Sequence, residues 1–295
     1  MTSFATSLTL VPRPGPSGKC TLVGAGPGDP ELLTLKALKA IQAASVLLAD
    51  DLISEEILAL ASPKARIIRV GKRGGCKSTP QAFIEKLILL AVREGENVVR
   101  LKGGDPFIFG RGGEEVARLQ AAGVVVSVVN GITAGLAAAS SLGVPLTHRD
   151  QAQGVVFVTG HTKPGGLGID WPRLASMANH LRLTLVIYMG VRGAAQIEQE
   201  LLHGLPGQTP VAIIQNASLP TQRHAVCTLA GLNATLSSKG LASPSVIVVG
   251  DVLQGLLALQ DKPASHQYSV QHQSAKNLRY LQNSKTEEAC ICLGA

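Results

Sequence analysis

Short apolar runs alternate along this chain with segments whose apolar residues recur at helical spacing, and the turns between them carry glycine and carboxylate. Length and period separate the two kinds of element. Apolar runs at 20–24, 45–49, 67–70, 97–101 and 124–129 predict buried strands. Asp29 followed by Pro30 reads as a helix cap and first helical residue, with Leu33, Ala37, Ala40, Ile41 and Ala44 on one face. A second helix is expected from Pro80, capped by Thr79, with Ile84, Leu87, Ile88 and Ala91 in its apolar stripe, and a third over 111–122. The stretch 131–142, rich in Ala, Ser and Gly, predicts a helix that permits close backbone approach.

After Asp150 the alternation restarts. Strands are expected at 155–159 and, directly after, at 183–188, then a helix at 194–202 and strands at 211–215, 224–229 and 246–250. A helix and loop over 233–243 and a short helix over 252–259 complete the pattern. Alternating strands and helices predict a largely parallel sheet covered on both faces. The fold class is therefore α/β. One domain is expected over 19–150 and a second over 151–260, with flexible tails at 1–18 and 261–295 that have no core-forming period.

Composition narrows the function classes. A chain of 295 residues with 45% hydrophobic content builds a substantial core, which excludes a disordered protein. The net charge of +7 favours anionic partners of any kind, but the cations are scattered and aromatic residues make up only 3% of the chain. Stacking platforms for single-stranded nucleic acid are therefore scarce. The five cysteines Cys20, Cys76, Cys227, Cys290 and Cys292 form no C-x-x-C pair and have no His at zinc spacing, so a reducing compartment and no metal are expected. Residues 1–18 lack a signal-peptide pattern and no apolar run approaches the ~18 residues of a membrane span, so the expectation is a cytoplasmic protein with no membrane partner.

The candidate chemistry concentrates at 100–115, where a strand empties into a loop dense in glycine, carboxylate and arginine. Gly103, Gly104, Gly110, Gly112 and Gly113 remove side chains where a ligand approaches backbone. Gly24, Gly26 and Gly28 follow a strand in the same way, yet Asp29 breaks the dinucleotide-binding spacing. A ligand loop and a tight turn capped by Asp29 both fit these residues. Asp50 and Lys72 follow strands, and each reads either as a proton-transfer group or as a loop cap and a solvated amine. His148 and His161 have no companion ligand at metal spacing.

These segments, in order with Val70 to Arg73, Gly131 to Ala134, Thr147 to Asp150 and Val158 to His161, resemble the uroporphyrinogen-III C-methyltransferases over roughly residues 18–255. The resemblance implies the tetrapyrrole methylase fold, two α/β domains with the active site in the cleft between them. It implies S-adenosylmethionine as methyl donor, S-adenosylhomocysteine as product, and cofactor contacts at Pro27, Gly103, Gly104, Asp105, Ile108, Thr133, Ala134, Met189 and Ala217. Asp50 matches the family's proton acceptor and Lys72 its proton donor, while Arg149, Arg111 and His161 are assigned to the substrate, whose rim of carboxylates suits guanidinium forks. Two successive methylations of uroporphyrinogen III to precorrin-2, by a homodimer, are implied as well. Asp51, Asn130 and Ala217 depart from the family pattern. A later precorrin methyltransferase and a basic, non-catalytic nucleic-acid-binding module are the alternatives.

Overall fold

The computed structural model describes residues 18–71, 79–161, 165, 166 and 168–260. Five strands, β1 (Lys19–Gly24), β2 (Val46–Ala49), β3 (Arg66–Arg69), β4 (Asn97–Lys102) and β5 (Val126–Val129), form one sheet in the order β3-β2-β4-β1-β5. Every pairing in it is parallel, as the alternation predicts. Helices α1 (Leu35–Ala43), α2 (Glu55–Leu58), α3 (Gln81–Arg93), α4 (Gly112–Ala121) and α5 (Ala134–Ser141) connect and follow the strands. The period of two sorts the strand residues: Val23, Leu47, Val99 and Leu101 meet Ala37 and Ile41 of α1 on one face. Leu22, Leu48 and Val98 meet Ile84 and Ile88 of α3 and Leu119 of α4 on the other.

Local chemistry explains where two helix starts differ from expectation. Asp29 does cap, its carboxylate accepting from the Glu31 N–H at 2.8 Å, but only a single 3₁₀ turn over Pro30–Leu32 follows. Leu33 and Thr34 then adopt extended backbone, and Thr34 caps α1 by accepting from the Ala37 N–H at 3.1 Å. In α3 it is Pro80, rather than Thr79, that occupies the cap position.

The second sheet comprises β6 (Gly154–Thr159), β7 (Leu183–Tyr188), β8 (Pro210–Gln215), β9 (Arg223–Thr228) and β10 (Ser245–Val249) in the order β6-β7-β10-β8-β9. Here the parallel expectation fails. Only β6 and β7 run parallel; β10 enters between β7 and β8 antiparallel to both, and β9 pairs antiparallel with β8. The cause of the error is burial on two faces, which gives antiparallel strands the continuous apolar runs of parallel ones. Helices α6 (Trp171–His180), α7 (Ala194–Leu201) and α8 (Leu232–Lys239) cover one face through Ala175, Ile197 and Leu232. The other face lies under α5, a 3₁₀ turn at Asp251–Leu253 and α9 (Gln254–Gln260), through Ala138, Leu253 and Leu256. The sequence reading omitted α6, although its signals are present: Asp170 accepts from the Arg173 N–H at 3.0 Å, Pro172 sits in the first turn, and Trp171, Ala175 and Ala178 are buried on one side. No helix among the described residues is long and apolar enough to cross a membrane.

Helix α5 joins the halves, since it follows β5 of the first sheet yet packs on β7 and β10 of the second. Gly135 makes that contact possible, because a Cβ there would lie 2.5 Å from the Tyr188 hydroxyl. Instead the Gly135 N–H donates to that hydroxyl at 2.7 Å, and the Thr133 hydroxyl shares a 2.7 Å hydrogen bond with it. Burial pushes the Tyr188 phenol above its usual range, the two hydrogen bonds opposing, so the group is neutral and able both to give and to accept. Tyr188→Phe leaves the Gly135 N–H without its acceptor and is expected to lower stability by about 1–3 kcal/mol in urea unfolding.

Cys20 lies fully inside the first sheet. Burial, reinforced by Glu115 and opposed by Arg100, pushes its thiol up to about 12. An unfolded thiol ionises near about 8.5, so the folded state holds a proton that the unfolded state releases between the two values. The associated stability is whole below about pH 8.5 and is lost as pH rises toward 12. Alkylation at pH 8 with peptide mapping should leave Cys20 unmodified in the folded protein and modify it in denaturant.

Candidate active site

The carboxyl ends of the parallel strands converge on one edge of the first sheet, where open α/β sheets bind ligands. Three loops are fused there backbone to backbone. Gly26 and Gly104 exchange both hydrogen bonds, at 3.1 and 2.7 Å. A Cβ on Gly24 would lie 2.5 Å from the Gly131 nitrogen, and one on Gly131 would lie 2.2 Å from the Gly104 carbonyl. Gly104 itself has φ +68°, a conformation that L side chains rarely adopt.

Asp105, 7% exposed, staples the same loops. One carboxylate oxygen accepts from the Phe107 N–H at 2.8 Å, and the other from the Gly131 N–H at 3.1 Å and the Asn130 amide at 3.2 Å. The departure at Asn130 thereby acquires a partner. Through its carboxylate Asp105 holds the loops that shape the site.

On the second sheet, register brings three further ends to one edge. Val246 pairs with Tyr188 and Ser245 with Gln215, so β7 and β8 end together, and Thr159 of β6 pairs with Tyr188. This edge meets the first. The Asp29 N–H donates to the Ser218 hydroxyl at 3.2 Å, Leu219 packs on Gly28, Thr133 bonds Tyr188, and the rings of Phe109 and Tyr188 stand 4.9 Å apart. The seam brings together Pro27, Gly103, Gly104, Asp105, Thr133, Ala134, Met189 and Ala217, and Ile108 and Ala134 pack on the same cluster as Tyr188 and Ala217. Ala217 is absent from the residues with positive φ, so its side chain fits where the family often has glycine.

Strain marks the same seam. Six non-glycine residues among those described have positive φ, and Phe109, Arg111, Met189, Asn216 and Ser218 flank or line it. Phe107, Phe109 and Met189 are 52%, 40% and 48% exposed, leaving apolar surface for a ligand to cover. These features fit the cofactor implied by the motifs: backbone approach at Gly103 and Gly104, a hydroxyl at Thr133 and an apolar wall. Surface hollows lie elsewhere. One of about 390 Å³ is bordered by Thr209, Asp251 and Gln254 at the opposite ends of β8 and β10, and another flanks the edge strand β3 at Glu55, Ile67 and Arg69.

Asp50 follows β2 on the same sheet edge, 29% exposed at its side chain. Arg100 reaches it at 2.5 Å and Lys102 at 3.6 Å. Both cations are nearly buried and also contact Glu115, at 3.4 and 3.1 Å. The sequence reading placed its candidate chemistry in the segment 100–115 without naming Lys102 or Glu115. The alternation of charge along 100–102 and the helical start at 112 were the available signals.

The remaining candidates among the described residues are exposed. Lys72 lies outside the described residues. Arg111, at the start of α4, is exposed and pairs with Glu114 at 2.6 Å, a bond that raises its pKa further. His161 is exposed just past β6, its N–H on the Thr159 hydroxyl at 3.2 Å. Arg149 is exposed at the other end of β6, where Arg182, just before β7, donates to the Asp150 carbonyl at 3.0 Å. The length of β6, about 20 Å, separates Arg149 from the seam within one chain, so this substrate candidate is not brought to the seam. Among the described residues no cluster of His, Cys, Asp and Glu is placed to hold a metal ion.

Comparison with known proteins gives this arrangement relatives. Residues 19–233 match the family of tetrapyrrole (corrin/porphyrin) methylases. A uroporphyrinogen-III C-methyltransferase of Pseudomonas aeruginosa is 49% identical over 243 residues, which cover 82% of this chain and 97% of that protein. Siroheme synthase 1 of Aeromonas hydrophila is 50% identical over 237 residues, 80% of this chain, and the chain spans only 50% of its length. The crystal structure of uroporphyrin-III C-methyl transferase from Thermus thermophilus complexed with S-adenyl homocysteine superposes with TM-score 0.67 at 41% identity, covering 81% of this chain and all of that one. Matched over most of its described length, and 49% identical over 243 residues to a relative it covers almost end to end, the chain belongs to the tetrapyrrole (corrin/porphyrin) methylases.

Proposed function

We propose that the chain is a C-methyltransferase that adds two methyl groups in turn to uroporphyrinogen III, giving precorrin-2. The observation that carries this is the seam, where the strand ends of two sheets bring the motif residues to one line of contact, in a chain 49% identical to an enzyme of that name. S-adenosylmethionine supplies the methyl carbon, and its sulfur keeps the bonding pair and leaves as S-adenosylhomocysteine. Gly103, Gly104, Thr133, Ala134, Pro27, Ile108, Met189 and Ala217 bind and orient the donor along the seam. Displacement in line needs alignment above all, which fixed backbone contacts provide. Asp50 accepts the proton that the cationic macrocycle sheds after the new carbon–carbon bond forms, a proton that leaves from a site other than the methylated carbon, which becomes quaternary; Arg100 and Lys102 hold Asp50 for the task. Lys72, which follows Gly71 in the sequence, is assigned proton donation, and His161 and Arg111 face the substrate's carboxylates. The two domains, 19–150 and 151–260, supply one wall each. The enzyme works as a homodimer in the cytoplasm.

Anaerobic incubation with S-adenosylmethionine and uroporphyrinogen III, followed by mass analysis of the oxidised tetrapyrrole, should register a gain of two methyl groups. Cofactor binding without methylation would sink the substrate assignment. Asp50→Asn is expected to slow turnover by about 10²–10⁴ with little change in cofactor affinity. Arg149→Ala tests the distance along β6: a site built by one chain leaves the substrate KM within about twofold, whereas loss of a bidentate carboxylate contact raises it about tenfold or more.

A further inference from the structure

Glu115 is wholly buried in the first turns of α4, yet only one of its carboxylate oxygens has partners. That oxygen accepts from the Gln81 amide at 2.7 Å, from Lys102 at 3.1 Å and from Arg100 at 3.4 Å. The other oxygen and the Arg100 Nε are buried without a hydrogen bond. A buried ion cluster with unpaired polar atoms is a poor device for stability, since apolar residues of like volume serve as well or better. Its geometry serves something else. Arg100 and Lys102 each touch Glu115 on the closed side and Asp50 on the open side, so the two cations form a bridge from a sealed carboxylate to one at the cleft. Two further hydrogen bonds, from Arg100 to the Leu48 and Leu101 carbonyls at 3.3 Å, fix the guanidinium.

We propose that Glu115 is a positioning residue for proton transfer: it anchors Arg100 and Lys102, and through them orients the Asp50 carboxylate and offsets the positive charge that would otherwise resist its protonation. This rests on the reading of Asp50 as proton acceptor. With Glu115 ionised, the two cations leave one net positive charge facing Asp50. Without it they leave two, and a carboxylate facing more positive charge takes up a proton less readily. The groups facing this cluster are Arg100 and Lys102 from β4, Glu115 from α4, Gln81 from α3 and Cys20 from β1, while the Asp51 carboxylate, next in sequence to Asp50, lies against Gly71. Cys20 stays neutral below about pH 9, so it leaves the acid side of any rate profile unaffected.

The test is a set of pH profiles of single-turnover methyl transfer under anaerobic conditions, with KM for each substrate measured alongside. Glu115→Gln should move the acid limb down by about one pH unit and lower the rate about tenfold at its optimum, with both KM values within about twofold. Lys102→Met should move the limb the opposite way, and the charge-balanced pair Lys102→Met/Glu115→Gln should return it to the wild-type position. Should Glu115→Gln fail to fold, the comparison of Lys102→Met with the pair reads the same shift. Wild-type turnover in Asp50→Asn would overturn the reading of Asp50 and the role of Glu115 together. Lost turnover in Asp50→Asn with unmoved limbs in the Glu115 and Lys102 variants would overturn the role of Glu115 alone.

Discussion

The close contact of Gly24, Gly104 and Gly131 is the constraint from which the rest of the molecule follows. A Cβ on Gly24 or Gly131 would overlap a neighbouring backbone atom, and Gly104 holds a φ of +68° that L side chains rarely adopt. This locks the loops after β1, β4 and β5 into one layer at the sheet edge. The Asp105 carboxylate then closes the layer by accepting three N–H groups from two of those loops. Were the loops to splay, the start of α5 would lose its aim and the second sheet its attachment.

That attachment is narrow in chemistry and wide in consequence. Tyr188 ends a strand of the second sheet and bonds both Thr133 and Gly135, which belong to the loop and helix leaving the first. Apolar packing of α5 on β7 and β10 supplies the bulk of the contact, and the hydrogen bonds set its register. Because the two sheets meet by their strand ends, the loops that follow β1, β4, β5, β7 and β8 are held at the seam. Positive-φ residues at Phe109, Met189, Asn216 and Ser218 record how tightly the loops must turn to stay there.

A second design runs beneath the first. The cluster of Asp50, Arg100, Lys102 and Glu115 puts balanced charge inside a sheet otherwise packed with Val, Leu and Ile. Desolvation makes such a cluster costly, and its open end is Asp50, the carboxylate proposed to take the proton. Apolar walls at Phe107, Phe109 and Met189 stand on the same seam.

The sequence by itself determined the parallel first sheet, most element positions and the family, because alternation of apolar runs with helical stripes and the order of glycine-rich motifs are properties of the chain alone. Tertiary structure decided strand direction in the second sheet, since burial on both faces erases the period that would reveal it. It also decided that α5 serves the second sheet, that Asp105 and Asn130 bind each other, and that Glu115 lies behind Asp50, with Arg149 a strand's length from the seam. These are relations between residues distant in the chain, and no local pattern encodes a distance that only packing sets.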